Sequence, residues 1–396
     1  MEINRSLFPM LEKELRQPFV SVLMGTRQVG KSWLMRKLYH SCLDRGIAAS
    51  YFDLEDPYTL RDFNAEDGAI VKLLGAAGKV AFIDEFQYAK NATRMLKAIH
   101  DRGEGPKLFV SGSSSVEMHH HLKESLAGRF RLTMVTPLEY LSEYSTISGA
   151  SFSDYLRFGG LPGLASLDTE DEKMQALKDI LQTYIMKDVR GLLKEENIRA
   201  FNAMVYLLAE NQGSVVTVAS LAREVRLSEP TVRTHLDILD QTYVAFALDS
   251  YATSLGNELK KSKKYYLYDL GIRNALLKDF SAADARPDKG AIAETFVYLA
   301  LKRHLKPNME LRFWRNKQGE EVDFILVEDR APTPIEVKYH LDAPEVPSGL
   351  KVFMRAYPGI DQAFVYSSNL NADIEWEGRK VSFRSLADAE CFGVNA

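Results

Sequence analysis

The chain has 396 residues, 50 Lys and Arg against 54 Asp and Glu, a formal net charge of −4 and 46% hydrophobic residues. That balance excludes a disordered or fibrous chain, and the length allows two or three domains. The two cysteines, Cys42 and Cys391, build no disulfide framework, so a reducing cytoplasm is the expected location. Charged residues Glu2, Arg5, Glu12, Lys13 and Glu14 interrupt the N-terminus, and no later apolar run is long enough to span a bilayer, so no membrane association is expected.

Residues 19–24 are apolar and β-prone, and a glycine-containing loop leads from them into Trp33, Leu34 and Leu38 at helical spacing. Short apolar runs recur at 49–54, 80–83 and 108–110, separated by helix-like segments. Buried runs alternating with helices predict an α/β domain with a mainly parallel sheet covered on both faces. The composition turns to Ser, Thr and Gly over 144–153, which marks the exit from a domain spanning 1–150. A helix is predicted over 176–189, within a helical linker or lid at 151–195.

A different pattern occupies 196–270. Phe201, Val205 and Leu208 share a helical face, Thr217 caps a short helix carrying Leu221 and Val225, and Ser228 caps another carrying Val232, Leu236 and Leu239. With a tight turn at Arg226 and Leu227 this reads as a helix-turn-helix. Two β-prone stretches, 243–251 and 265–268, joined by a segment bearing Lys260, Lys261, Lys263 and Lys264, extend it to a winged helix. Its second helix carries Thr231, Arg233 and Thr234 for a nucleic-acid groove, opposed by the phosphate-repelling Glu229, Asp237 and Asp240. A last unit, 271–396, begins with a helix through Glu294, Val297 and Leu301 and continues in strands at 311–314, 321–327, 333–337 and 362–366.

The chemistry concentrates first at Gly25-Thr26-Arg27-Gln28-Val29-Gly30-Lys31-Ser32, a G-x-x-x-x-G-K-[ST] P-loop between strand and helix. The pattern predicts ATP or a related nucleoside triphosphate with Mg²⁺. Backbone N–H groups curl around the phosphates, Lys31 supplies charge to the β- and γ-oxygens, and Ser32 offers its hydroxyl to the metal. Residues 80–85 form an apolar strand ending in Asp84 and Glu85. There Asp84 is expected to hold Mg²⁺ through a water, and Glu85 to polarise the attacking water as general base. The next strand ends in Ser111-Gly112-Ser113-Ser114-Ser115, with Ser113, and then Ser111, as candidate sensor of the γ-phosphate. Arg129 is a candidate source of transition-state charge, in cis or to a neighbouring subunit of a homo-oligomer. His119, His120 and His121 point different ways on a helix and lack a matching Cys or carboxylate set, so they read as structural or solvated.

These segments, with Phe82-Ile83-Asp84-Glu85-Phe86-Gln87, Ala127-Gly128-Arg129-Phe130 and Phe158-Gly159-Gly160-Leu161-Pro162-Gly163, resemble the prokaryotic AAA-type ATPases that carry a C-terminal domain of unknown function. The resemblance covers nearly the whole chain. It implies an AAA+ core, a winged helix and a restriction-endonuclease-like domain. Ser32 stands where threonine is frequent in that family, and either hydroxyl serves Mg²⁺.

In the C-terminal unit, Glu294, Asp323 and Glu336-Val337-Lys338 follow the order of the PD-(D/E)xK nuclease fold. There Asp323 and Glu336 would bind a second divalent metal, Glu294 would add a ligand or orient water, and Lys338 would stabilise developing charge. An ordinary half-exposed strand with alternating charges gives the same pattern. Three functions follow as expectations: an ATPase whose nucleotide state drives an arm onto DNA or RNA, an ATP-controlled metal-dependent nuclease, and an ATP-binding signalling or scaffolding protein.

Overall fold

The computed structural model describes residues 3–65, 69–90, 97, 101, 105–113, 128–185, 198–251 and 262–392, with the backbone alone for 69, 113, 184 and 185. Ser114, Ser115, His119, His120, His121, Ala127, Lys260, Lys261, the Ser113 side chain and the end of the helix predicted to reach 189 lie outside the described residues. The chain divides into two compact units. One comprises 1–138, 161–163 and 241–244; the other comprises 139–160, 164–240 and 245–396.

The first unit contains α1 (Phe8–Glu14), β1 (Val20–Gly25), α2 (Lys31–Asp44), β2 (Ala49–Asp53), α3 (Pro57–Phe63), α4 (Ala69–Gly75), β3 (Val80–Asp84), β4 (Lys107–Ser113) and β5 (Phe130–Met134). The five strands are parallel, in the order β2-β3-β4-β1-β5. Every residue of β1 and of β3 is buried, which is why both read as continuous apolar runs rather than alternating ones. Phe82 and Phe109 stack across adjacent strands with ring centroids 5.3 Å apart, and burying each such ring contributes about 2–3 kcal/mol. The register pairs Asp53 with Asp84 and Gly25 with Ser113, so the C-terminal ends of β1 to β4 lie along one edge of the sheet.

The second unit continues with α5 (Phe152–Phe158), α6 (Glu170–Ile180), α7 (Ile198–Glu210), β6 (Val216–Thr217), α8 (Val218–Val225), α9 (Glu229–Gln241, its last residue clustering with the first unit), β7 (Ala245–Asp249) and β8 (Ser262–Leu267). It ends with α10 (Leu270–Leu277), α11 (Lys289–Arg303), β9 (Met309–Arg315), β10 (Glu321–Glu328), β11 (Ala331–Val337), α12 (Ser348–Ala356), β12 (Gln362–Ser367), β13 (Ala372–Trp376) and β14 (Arg379–Ser385). The Tyr140 and Leu141 N–H groups each donate to the Glu390 carboxylate at 2.7 Å, tying 139–160 to the end of this unit.

Local chemistry sets the helix boundaries. Thr169 and Glu172 form a capping box before α6, the Thr217 hydroxyl accepts the Ser220 N–H before α8, and Ser228 accepts the Thr231 N–H at 3.3 Å. Arg226 ends α8 in the left-handed region at φ 56°. β6, β8 and β7 form a small antiparallel sheet in that order. The larger sheet runs β13-β14-β12-β11-β10-β9, with α12 covering β10 and β11. Leu350 and Phe353 of α12 lie in one core cluster with Val322, Ile325 and Val365. Among the described residues, no helix is long and apolar enough to cross a membrane.

Candidate functional site

The loop between β1 and α2 is built on a backbone that only glycine supports at its entry. Gly25 has φ 157°, and a Cβ there would lie 2.2 Å from the Val135 carbonyl oxygen. Thr26 and Val29 are buried, Arg27 is half-buried and Gln28 is exposed, whereas Gly30 stands immediately before α2 at φ 92°. Lys31 is only 5% exposed, and its ammonium donates to the Gly25 and Thr26 carbonyls at 2.9 and 2.8 Å. Burial lowers its pKa to about 8, against the opposing pull of Glu85 and Asp84. Ser32 sits in the first turn of α2, where unpaired backbone N–H groups favour an anion.

Asp84 ends β3 beside this loop and is 2% exposed. Tyr51 donates its hydroxyl to Asp84 Oδ2 at 2.7 Å, and the buried Ser111 hydroxyl donates to Oδ1. Ser111 Oγ also accepts the Glu85 N–H at 3.3 Å, so one hydroxyl joins both acidic residues. Glu85 adopts φ 52°, a left-handed conformation costing a non-glycine residue about 1 kcal/mol, and its carboxylate accepts from Gln87 Nε2. Glu55 shares this acidic neighbourhood. Burial raises its pKa first, with Glu85 and Asp53 adding to the rise.

A glycine-cradled loop, a buried lysine, a hydroxyl at a helix start and a carboxylate held by two hydroxyl donors fit a triphosphate and its Mg²⁺. Residues 17–144 match the family described as AAA domain. These residues carry a P-loop AAA-type domain. Residues 149–283 and 289–382 match two families described as domains of unknown function, DUF8612 and DUF4143. An uncharacterized protein of Mycobacterium tuberculosis is 29% identical over 331 residues, covering 83% of this chain and 72% of that protein. One from Methanocaldococcus jannaschii is 26% identical over 377 residues, covering 89% and 81%. Among solved structures, AMPPCP-bound DnaA from Aquifex aeolicus overlaps 59% of this chain and 86% of its own at 12% identity and a TM-score of 0.30. Pif1 helicase from Candida albicans overlaps 46% and 48% at 14% identity and a TM-score of 0.27.

Within the AAA-type domain, strand register overturns the in cis role expected of Arg129. Its carbonyl accepts the Val20 N–H at 2.9 Å, and β5 starts with Phe130 opposite Val20. Arg129 therefore lies at the N-terminal edge of β1, five residues and roughly 17 Å of strand from Gly25. There it pairs with Asp101 at 2.6 Å.

The second unit brings Glu294, Asp323, Glu336 and Lys338 together, as their order in the sequence suggests, and adds a residue that the sequence reading placed elsewhere. Lys264, expected in the basic segment of the winged helix, has a fully buried side chain. Its ammonium lies 2.9 Å from Glu294 Oε1, 2.6 Å from Glu321 Oε1 and 3.6 Å from Asp323 Oδ1. Burial alone would lower its pKa, but Glu294, Asp323 and Glu321 together raise it, so it stays charged. The cause of the misplacement is strand alternation: Lys264 lies in β8, two residues from Tyr266, and both point to the same face. Lys263, on the opposite face, pairs with Asp249 at 3.1 Å.

Further protein donors reach this cluster. Tyr266 donates to Glu294 Oε1 at 2.6 Å, the Val337 N–H to Asp323 Oδ2 at 2.9 Å, and Lys338 to Glu336 Oε1 at 2.7 Å. A Cβ at Gly213, which has φ 79°, would lie 2.5 Å from Glu294 Oε2. Burial raises the pKa of Glu336, reinforced by Asp323 and opposed by Lys338. A divalent ion would have to share the Glu294, Glu321 and Asp323 oxygens that already hold the Lys264 ammonium, and repulsion from that ammonium at about 4 Å, on the order of 8 kcal/mol at an effective dielectric of about 20, would offset the attraction of one carboxylate at the same distance. The second metal expected here therefore does not fit these residues while Lys264 keeps its position.

The sequence reading missed Arg5, Tyr51, Ser111 as a direct partner of Asp84, and the true place of Lys264. Arg5 is 4% exposed and donates to the Val29 carbonyl at 2.7 Å and to the Thr136 carbonyl at 2.8 Å, fastening the P-loop to the chain after β5. An arginine among apolar N-terminal residues was the only available signal.

Proposed function

We propose that the protein is a Mg²⁺-dependent ATPase whose nucleotide state drives its second unit onto nucleic acid. The observation that carries the ATPase reading is the strand register, which sets the P-loop, Asp84, Glu85 and Ser111 along one edge of one sheet. Bound Mg-ATP supplies the reactive γ-phosphate. Lys31 and the loop N–H groups orient it, Ser32 and Asp84 hold the metal, and Glu85 takes the proton of the attacking water. Ser111 couples the metal-holding and base positions, and its hydroxyl, which touches both acidic residues, supports it as a sensor of the γ-phosphate.

The nucleic-acid part rests on topology. Three helices with a capped turn, and a small antiparallel sheet of β6 between the first two and β7 and β8 after the third, are the parts of a winged helix, and α9 exposes Arg233 and Thr234. Arg233 stands 3.5 Å from Glu229, an exposed pair that contributes little and opens readily toward a phosphate. The burial of Lys264 favours a second reading, in which this module binds protein as a scaffold. The nuclease reading draws no support from a cluster already filled by an ammonium.

The test is turnover of Mg-ATP with two variants. Lys31→Ala is expected to lose nucleotide binding, and Glu85→Gln to keep binding and lose turnover by about 10²-fold or more. Hydrolysis by Glu85→Gln at the wild-type rate would reject Glu85 as the base.

A further inference from the structure

We propose that the Lys264 ammonium is the resident cation of the Glu294, Glu321 and Asp323 cluster, standing where a divalent metal would be held. The nuclease-like constellation then acts as a polar lock joining β8, α11 and β10, and withdrawing the Lys264 charge opens a divalent-metal site. This inference is independent of the ATPase reading, because every residue in it belongs to the second unit.

Three observations carry it. The Lys264 side chain is wholly buried, and its ammonium lies within 3.6 Å of a carboxylate oxygen of Glu294 on α11 and of both Glu321 and Asp323 on β10. The carboxylates are also turned toward protein donors. Asp323 Oδ2 accepts the Val337 N–H, Glu336 Oε1 accepts Lys338, and Glu294 Oε1 accepts Tyr266 in addition to Lys264. Finally, the walls are packed: Tyr266 and Tyr298 stack with centroids 4.0 Å apart, and both rings lie 6.1 Å from Phe324. A wholly buried ammonium held by three carboxylates is a built-in counterion, and removing one partner from such a set leaves buried charge uncompensated. A hard divalent cation is the ligand that the uncompensated carboxylates would then recruit.

Mn²⁺ is the probe, titrated onto the full chain without nucleotide and followed by electron paramagnetic resonance and thermal melting. Wild type and Asp323→Asn are expected to bind Mn²⁺ alike. Lys264→Met is expected to gain one bound Mn²⁺ per chain, at least about tenfold tighter than wild type, and to lose it again in Lys264→Met/Asp323→Asn. Wild-type Mn²⁺ binding or Mn²⁺-dependent plasmid cleavage that Asp323→Asn or Glu336→Gln abolishes would overturn the proposal, as would a folded Lys264→Met with no gain. If Lys264→Met does not fold, the comparison of wild type with Asp323→Asn and Glu336→Gln decides by itself.

Discussion

Tyr51 and Asp84 are 33 residues apart in sequence, and the Tyr51 hydroxyl donates to Asp84 Oδ2 at 2.7 Å across the paired strands β2 and β3. The bond fixes the carboxylate proposed to hold Mg²⁺, and burial and Asp84 together keep the phenol protonated. Tyr51→Phe is therefore expected to leave the circular-dichroism spectrum unchanged. The Mg²⁺ concentration for half-maximal ATP turnover should rise about three- to tenfold, the scale of one ordinary net hydrogen bond. An unchanged Mg²⁺ requirement would reduce Tyr51 to a packing residue.

The buried Lys31 gives nucleotide binding a pH dependence of definite sign. Its pKa is lowered to about 8, and the charged form is the one that attracts phosphate. Below pH 8 the free protein is already protonated, so affinity is flat. Above it, binding must take up a proton, and affinity should fall by about tenfold per pH unit. Titrating a fluorescent ATP analogue across this range checks it, with Lys31→Arg losing the dependence because guanidinium stays charged.

Arg5 donates two hydrogen bonds, a buried one to the Val29 carbonyl within the P-loop and a part-buried one to the Thr136 carbonyl after β5. Arg5→Ala leaves both acceptors without that donor and should cost about 2–3 kcal/mol of stability, read as a lower midpoint in urea, with weaker ATP binding. Arg5→Lys should recover only part, since an ammonium lacks the fork that reaches Val29 and Thr136 together.

Arg129 sits at the sheet edge remote from the P-loop. In dilute solution, Arg129→Ala should hydrolyse ATP within about twofold of wild type, as surface substitutions do. A wild-type rate that rises with protein concentration while the variant's does not would instead assign Arg129 to a neighbouring subunit's site.

On α9, Arg233 is the exposed cation best placed for a duplex. If α9 enters a major groove, Arg233→Ala should weaken binding and narrow the gap between preferred and random sequences, by about 1–3 kcal/mol for a bidentate base contact. Fluorescence anisotropy over a salt series measures both. No duplex binding by the wild type would favour the scaffold reading. Lys264 makes no phosphate contact from a wing, because that ammonium is bound to carboxylates within its own unit.

The sequence by itself determined whatever depends on neighbours along the chain. The P-loop spacing, the apolar run ending at Asp84 and Glu85, and the Thr217 and Ser228 caps are all local patterns, and each stands in the structure where the spacing predicts. Tertiary structure decided what depends on pairing between distant segments. Parallel register put Ser111 against Asp84 and sent Arg129 to the far edge, though both flank the same stretch of chain. In β8, alternation and burial separated two adjacent lysines that composition treats alike: Lys263 meets Asp249 at the surface, and Lys264 enters a carboxylate cluster assembled from α11 and β10. A charge run in sequence gives the number of cations but not their facing. Only the pairing of strands fixes which ammonium is desolvated, and a desolvated ammonium requires carboxylates that lie 30 and 59 residues further along the chain, at Glu294 and Asp323.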